Sequence, residues 1–204
     1  MKLIRFGVVG LAAFGVVACT MALLRLAHVA PPSRLAPYPA WTALHFAPAL
    51  VFVVLMSLQL WPGLRTARPR VHRLTGRVAV AVGGVMAASG VAMVWLVPDR
   101  PVGERIFMSV FFGAWTVMLG LGFRAAVARD FTSHRAWMAR MSATTLTPLT
   151  QRLLLPLLAT GFGVDGMATF WQLFVSAAWI GWAINLTVAE AWIHGRPARH
   201  LATA

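Results

Sequence analysis

Two short boxes, His72-Arg73-Leu74-Thr75-Gly76-Arg77 and His134-Arg135-Ala136-Trp137-Met138-Ala139-Arg140, repeat a His-Arg pair followed by a second arginine within about two helical turns. Neutral imidazole ligates haem iron or hydrogen-bonds a quinone headgroup, and guanidinium forks pair with propionates and phosphates. His72 and His134 are therefore candidate axial ligands of a haem b, with Arg73, Arg77, Arg135 and Arg140 as propionate partners. The same six residues suit a quinone or another anionic ligand. A third reading is topological: basic turns at helix ends hold loops on the cytoplasmic side and bind anionic lipid headgroups.

A second constellation lies deeper. The apolar run from Ala136 to Thr160 carries Arg140, Ser142, Thr144, Thr145, Thr147, Thr150, Gln151 and Arg152. An ionised group inside a bilayer costs about 3 kcal/mol or more, so Arg152 is expected to face the bundle interior or an aqueous cavity. Eighteen residues separate His134 from Arg152, which on an unbroken helix puts both on one face about 27 Å apart. Pro148 is expected to kink that line. His45, one turn inside the second apolar run, shares a depth with Arg152, and with Gln151 these form a candidate outer or intramembrane polar site. The alternatives are that the threonines bond their own backbone and that His45 snorkels beside Trp41 and Phe46. Gln59, Asn185 and Glu190 point toward the layer of the boxes, where Glu190 can neutralise an arginine.

The elements that position these residues are legible from hydropathy. Of the 204 residues, 59 % are hydrophobic and 11 % charged, with mean hydropathy +0.75, the composition of a chain whose solvent is lipid. A bilayer core needs about 20 apolar residues per helix. Such runs extend over about 3–26, 41–61, 78–97, 106–128, 136–160 and 167–192, predicting an all-α bundle of about six transmembrane helices in a single domain, with a motif-bearing core over 41–192 and a short tail over 193–204. The runs are apolar all round, which excludes a barrel of alternating strands. Gly84, Ala88 and Ala92 form an expected packing stripe on the third run.

The net charge of +13 is distributed by topology and does not indicate nucleic acid. Thirteen basic residues, from Lys2 and Arg5 through Arg65–Arg77, Arg124–Arg140 and Arg196–Arg199, fall on one side of a regularly weaving chain, against Arg25, Arg34, Arg100 and Arg105 on the other. That asymmetry predicts both termini in the cytoplasm of a bacterium, with the boxes at the inner surface of its inner membrane. The lone Cys19 excludes an internal disulfide or a CxxC motif. Val16-Val17-Ala18-Cys19 resembles a lipoprotein cleavage signal, but the apolar run continues through Leu24, favouring a retained first helix.

The chain lacks HExxH, a phosphate-binding GxxxxGK[ST], GxGxxG and CxxCH. The boxes in order, Leu44-His45, Gln59-Leu60, Pro69 to Arg77, Asp130-Phe131, His134 to Arg140 and Arg152 to Pro156, resemble a family of bacterial predicted membrane proteins, domain of unknown function twenty-three-oh-six. The resemblance implies a multi-helix inner-membrane protein of a family without an assigned activity, with His45, His72, His134, Arg140 and Arg152 at the matching positions. Ala79 and Ser142 stand where tyrosine is expected of relatives, which argues against a tyrosine-dependent step. Three classes of function remain open: a redox protein with a haem b or quinone site, a small-molecule or lipid transporter or receptor using the polar fifth helix, and an assembly protein acting through a partner membrane protein or a homo-oligomer.

Overall fold

The computed structural model describes residues 37–98 and 100–195, and the chain divides after residue 99 into two compact units. The expected first helix over 3–26, Cys19, His28, His200 and the end of the tail lie outside the described residues. All regular structure among the described residues is α-helical: α1 (Pro39–Leu60), α2 (Pro62–Ala67) and α3 (Pro69–Leu96) in the first unit, then α4 (Val102–Val127), α5 (Phe131–Thr145), α6 (Thr147–Phe162) and α7 (Met167–His194) in the second. Four of these, α1, α3, α4 and α7, are long and apolar enough to cross a membrane.

Proline punctuates the first unit. Pro39, Pro62 and Pro69 each open a helix, because proline's fixed φ suits the first turn and its missing N–H costs nothing there. Trp61 and Arg68, each preceding a proline, leave helical geometry, since the proline ring disfavours the α region at the residue before it. Ala49, Phe52, Val53 and Met56 of α1 and Ala79, Gly83, Met86, Ala87, Gly90 and Met93 of α3 are buried at helical spacing, in the two helices that the side-chain bonds described below join. The stripe expected at Gly84, Ala88 and Ala92 is not the packed one: Ala88 is exposed, and a Cβ on Gly84 meets nothing within 4 Å. The buried small residues of α3 are Ala79, Gly83, Ala87 and Gly90, a neighbouring face that four-residue spacing alone does not distinguish.

In the second unit, α4 and α5 form an antiparallel hairpin. The turn is a Schellman closure: Asp130 N–H bonds Ala125 O (2.9 Å) and Arg129 N–H bonds Ala126 O (3.1 Å), with Arg129 in the left-handed region at φ 61°. Asp130 then caps α5, accepting Ser133 N–H at 3.0 Å. The run expected as a fifth helix is two helices broken at Leu146. Leu146 N–H bonds Ala143 O at 3.1 Å, tightening the last turn of α5, and Pro148 has no N–H to offer Thr144 O. Pro148 therefore sits in the first turn of α6 and ends a helix where a kink was expected. α7 runs antiparallel to α5 and α6, and a core of Phe107, Phe111, Ala178 and Trp182 joins it to α4.

Candidate functional site

The first box is a docking point for α1. Gln59, near the end of α1, donates its amide to His72 O (3.1 Å) and to Thr75 Oγ1 (2.7 Å). A Cβ on Gly76 would lie 3.1 Å from Gln59 Oε1, so the space beside the glycine holds this amide. Thr75 turns its hydroxyl back to Val71 O at 2.8 Å, leaving its oxygen to accept Gln59. His72 is half-buried, while Arg73 and Arg77 are exposed.

The second box is held from two sides. His134 Nδ1 lies 2.8 Å from Gly122 O of α4. A carbonyl only accepts, so Nδ1 carries a proton, and of the two neutral tautomers the bond selects the one with its lone pair on Nε2. Gly122 is buried, and an added Cβ would collide with Met138 Cε and come within 3.3 Å of Trp137 Cβ. Glycine here lets α5 approach α4 closely enough for the His134 bond. Arg140 makes a two-pronged pair with Glu190 of α7, Nε to Oε1 at 2.5 Å and Nη2 to Oε2 at 2.8 Å, and stacks 4.9 Å from the Trp137 ring centroid. Arg140, a candidate propionate partner in the sequence, is thus paired with a carboxylate within its own unit. Arg135 is half-buried.

A shallow cleft of about 190 Å³ opens beside the α4–α5 turn, lined by Leu121, Arg124, Ala125, Asp130, Ser133 and Trp137 among others. Hydrogen bonds from the Ser133 side chain and backbone hold the Asp130 carboxyl below the usual carboxylate range.

Most of the polar residues beyond Arg140 make bonds within their unit. Trp115 Nε1–H donates to Thr145 Oγ1 (2.9 Å) and Trp182 Nε1–H to Thr144 Oγ1 (3.1 Å). Thr150 Oγ1 donates to Asn185 Oδ1 at 3.0 Å, and Gln151 donates to Phe174 O at 3.0 Å. These threonines therefore tie helices together in addition to bonding their own backbone, as Thr145 does with Met141 O. Arg152 has an exposed side chain and donates from Nη1 to Pro148 O at 2.8 Å. That carbonyl lies in the first turn of the same helix, one turn before Arg152.

His45 does not snorkel. Its Nδ1 lies 2.9 Å from Met86 O of α3 and 3.4 Å from Ser89 Oγ, so it too carries its proton on Nδ1 and its lone pair on Nε2. His45 and Arg152, the expected outer pair, belong to different units, as do His72 and His134. Among the described residues no three His, Cys, Asp or Glu side chains group so as to hold a metal ion. Sequence reading missed Gly122 and Met86, because a main-chain carbonyl that serves as an acceptor has no side-chain signature.

No curated protein and no solved structure matches the chain. The model of the predicted membrane protein family DUF2306 matches residues 42–193, a stretch that contains every candidate site residue named above. With that match over most of its length, and with helices suited to crossing a bilayer more than once, the chain belongs to the DUF2306 family of multi-pass membrane proteins, consistent with a bacterial inner-membrane location.

Proposed function

We propose that this membrane protein binds a quinone in its reduced, quinol form at the end of the α4–α5 hairpin, with His134 Nε2 accepting a hydrogen bond from a quinol hydroxyl. The observation that carries the reading is the bond from His134 Nδ1 to Gly122 O, which fixes the tautomer and turns the other ring nitrogen into an acceptor. The same tautomer suits an axial haem ligand, but two features favour the smaller headgroup. Arg140, a propionate partner in the haem reading, is spent on Glu190. The cleft at the same turn, lined by Ser133 and Trp137 though not by His134 itself, is about 190 Å³, below the roughly 300 Å³ at which ligand sites usually begin, and is too small for a porphyrin. Quinones dissolve in the bilayer and present their headgroups near the interface, the depth at which a helix-end histidine lies. Arg124, which lines the cleft, is the cation placed to face an anionic or carbonyl oxygen. The topology that goes with this reading has about six spans, with α5 and α6 as a broken one, both termini cytoplasmic and the boxes on the inner side; the thirteen-to-four basic asymmetry supports it.

The test is quinone content after purification in mild detergent. Roughly stoichiometric quinone is expected in the wild type, with about a tenfold loss in His134→Ala, the effect of one lost hydrogen bond of about 1.4 kcal/mol. Equal quinone content in both proteins overturns the reading. Sharp b-type bands in a reduced-minus-oxidised spectrum, lost in His134→Ala, would replace it with haem.

A further inference from the structure

In the first unit the sequence has no Asp or Glu before Asp99, its last residue and, in sequence, the one beyond the far end of α3 from the arginines. Arg65, Arg68, Arg70, Arg73 and Arg77 are all exposed on α2, at the following break and on the opening turns of α3. The described carboxylates have partners inside the second unit: Glu104 with Arg100, Asp130 with Ser133, Asp165 with Thr169 and Glu190 with Arg140. Three of the arginines form a line. Arg70, Arg73 and Arg77 are spaced i, i+3, i+7 and share one face of α3, spanning about 10 Å along its axis. The neighbouring line, Val71, Leu74 and Val78, has the same spacing and is exposed, Leu74 to 63 %.

The length of α3 sets the depth of this double stripe. Its 28 residues rise about 42 Å, roughly 12 Å more than a hydrocarbon core. The far end is apolar through Leu96, so the excess falls on the opening turns. Those turns lie at the level of the headgroups, with the arginine line facing phosphates and the apolar line facing the upper acyl chains.

We infer that Arg70, Arg73 and Arg77 form a binding site for an anionic phospholipid of the surrounding bilayer, best filled by one carrying two phosphates. Adjacent arginines, three and four residues apart, can each clamp one phosphate, and guanidinium forks suit that geometry. The acyl chains lie along Val71, Leu74 and Val78. The site is separate from the His134 reading and stands without it.

The experiment uses the full chain in phosphatidylcholine vesicles containing spin-labelled diphosphatidylglycerol or spin-labelled phosphatidylcholine, and reads the motionally restricted fraction by EPR. About a tenfold preference for the anionic label is expected, given about fivefold per basic residue near a membrane surface with partial loss to screening. R70Q/R73Q/R77Q should bring the preference near unity, whereas R124Q/R129Q, on the other unit, should leave most of it. A preference that survives the first triple, or that the second pair removes equally, overturns the assignment. Millimolar inorganic phosphate that displaces the label also overturns it, because the ligand would then be a free anion. Folding of each variant is read by circular dichroism, and R70K/R73K/R77K, which keeps the charge, should retain part of the preference.

Discussion

Arg140 and Glu190 meet through two parallel hydrogen bonds, with the side chains 21 % and 40 % exposed. The partial exposure limits their worth, so Glu190→Gln should cost about 1 kcal/mol or less, read as a lowered thermal midpoint in detergent. The charge-reversed double variant Arg140→Glu with Glu190→Arg should recover part of that loss, and no recovery would show that the pair contributes through packing on Trp137. Asp130 carries a pH signature. Its folded-state pKa is depressed by Ser133, so its contribution is complete above the unfolded carboxylate value of about 3.9 and is lost as pH falls through the lower folded value. The difference in thermal midpoint between wild type and Asp130→Asn should therefore be constant at neutral pH and change only on acidification below about pH 4. Glu190 was legible as a neutraliser because so few acids are available, but its choice of Arg140 over the other box arginines depends on the antiparallel register of α5 and α7, which spacing does not encode.

At the scale of elements, close approach is set by glycine and by turn chemistry. Gly122→Ala should force Met138 to a new rotamer and press on Trp137, and Gly122→Leu should lower stability by about 1–3 kcal/mol. The same holds at Gly181, where a Cβ would stand 3.3 Å from the Gln151 backbone nitrogen, an atom that cannot move aside without shifting α6. Gly181→Leu should therefore separate α6 from α7, seen as faster proteolysis near Leu146. Arg129 occupies a left-handed position that glycine fills without strain, so Arg129→Gly should raise stability by about 1 kcal/mol, measured by thermal unfolding. The long apolar helices were legible from hydropathy because their length matches the bilayer. The break at Leu146 was only half legible: Pro148 marked it, but whether proline kinks a helix or opens a new one depends on the i−3 bond of Leu146, a local geometry with no residue signature. The small-residue stripe on α3 was not legible for a comparable reason, since Gly83 and Gly84 are equally small and only burial distinguishes them.

For the whole molecule, exposed apolar side chains such as Trp95, Val117 and Val188, set on helices of membrane-crossing length, describe a chain solvated by lipid. Trp41 and Trp61, near the two ends of α1 and both exposed, fit the aromatic belts of a bilayer about 30 Å thick. Against that background the polar inventory of the fifth run, the sequence's strongest hint of a transport path, is largely consumed by bonds between helices. His134 differs from those residues, since its protein bond uses one ring nitrogen and leaves the other as an acceptor. An acceptor nitrogen distinguishes the two redox forms of a quinone: a quinol hydroxyl can donate to it, and a quinone carbonyl cannot. The most direct measurement is the affinity of the purified protein for a short-chain quinol and for the corresponding quinone, in wild type and His134→Ala. Tighter binding of the quinol by about tenfold, with the difference abolished in the variant, is the expected result; equal affinities for the two forms in the wild type, or a preference that survives His134→Ala, would contradict it.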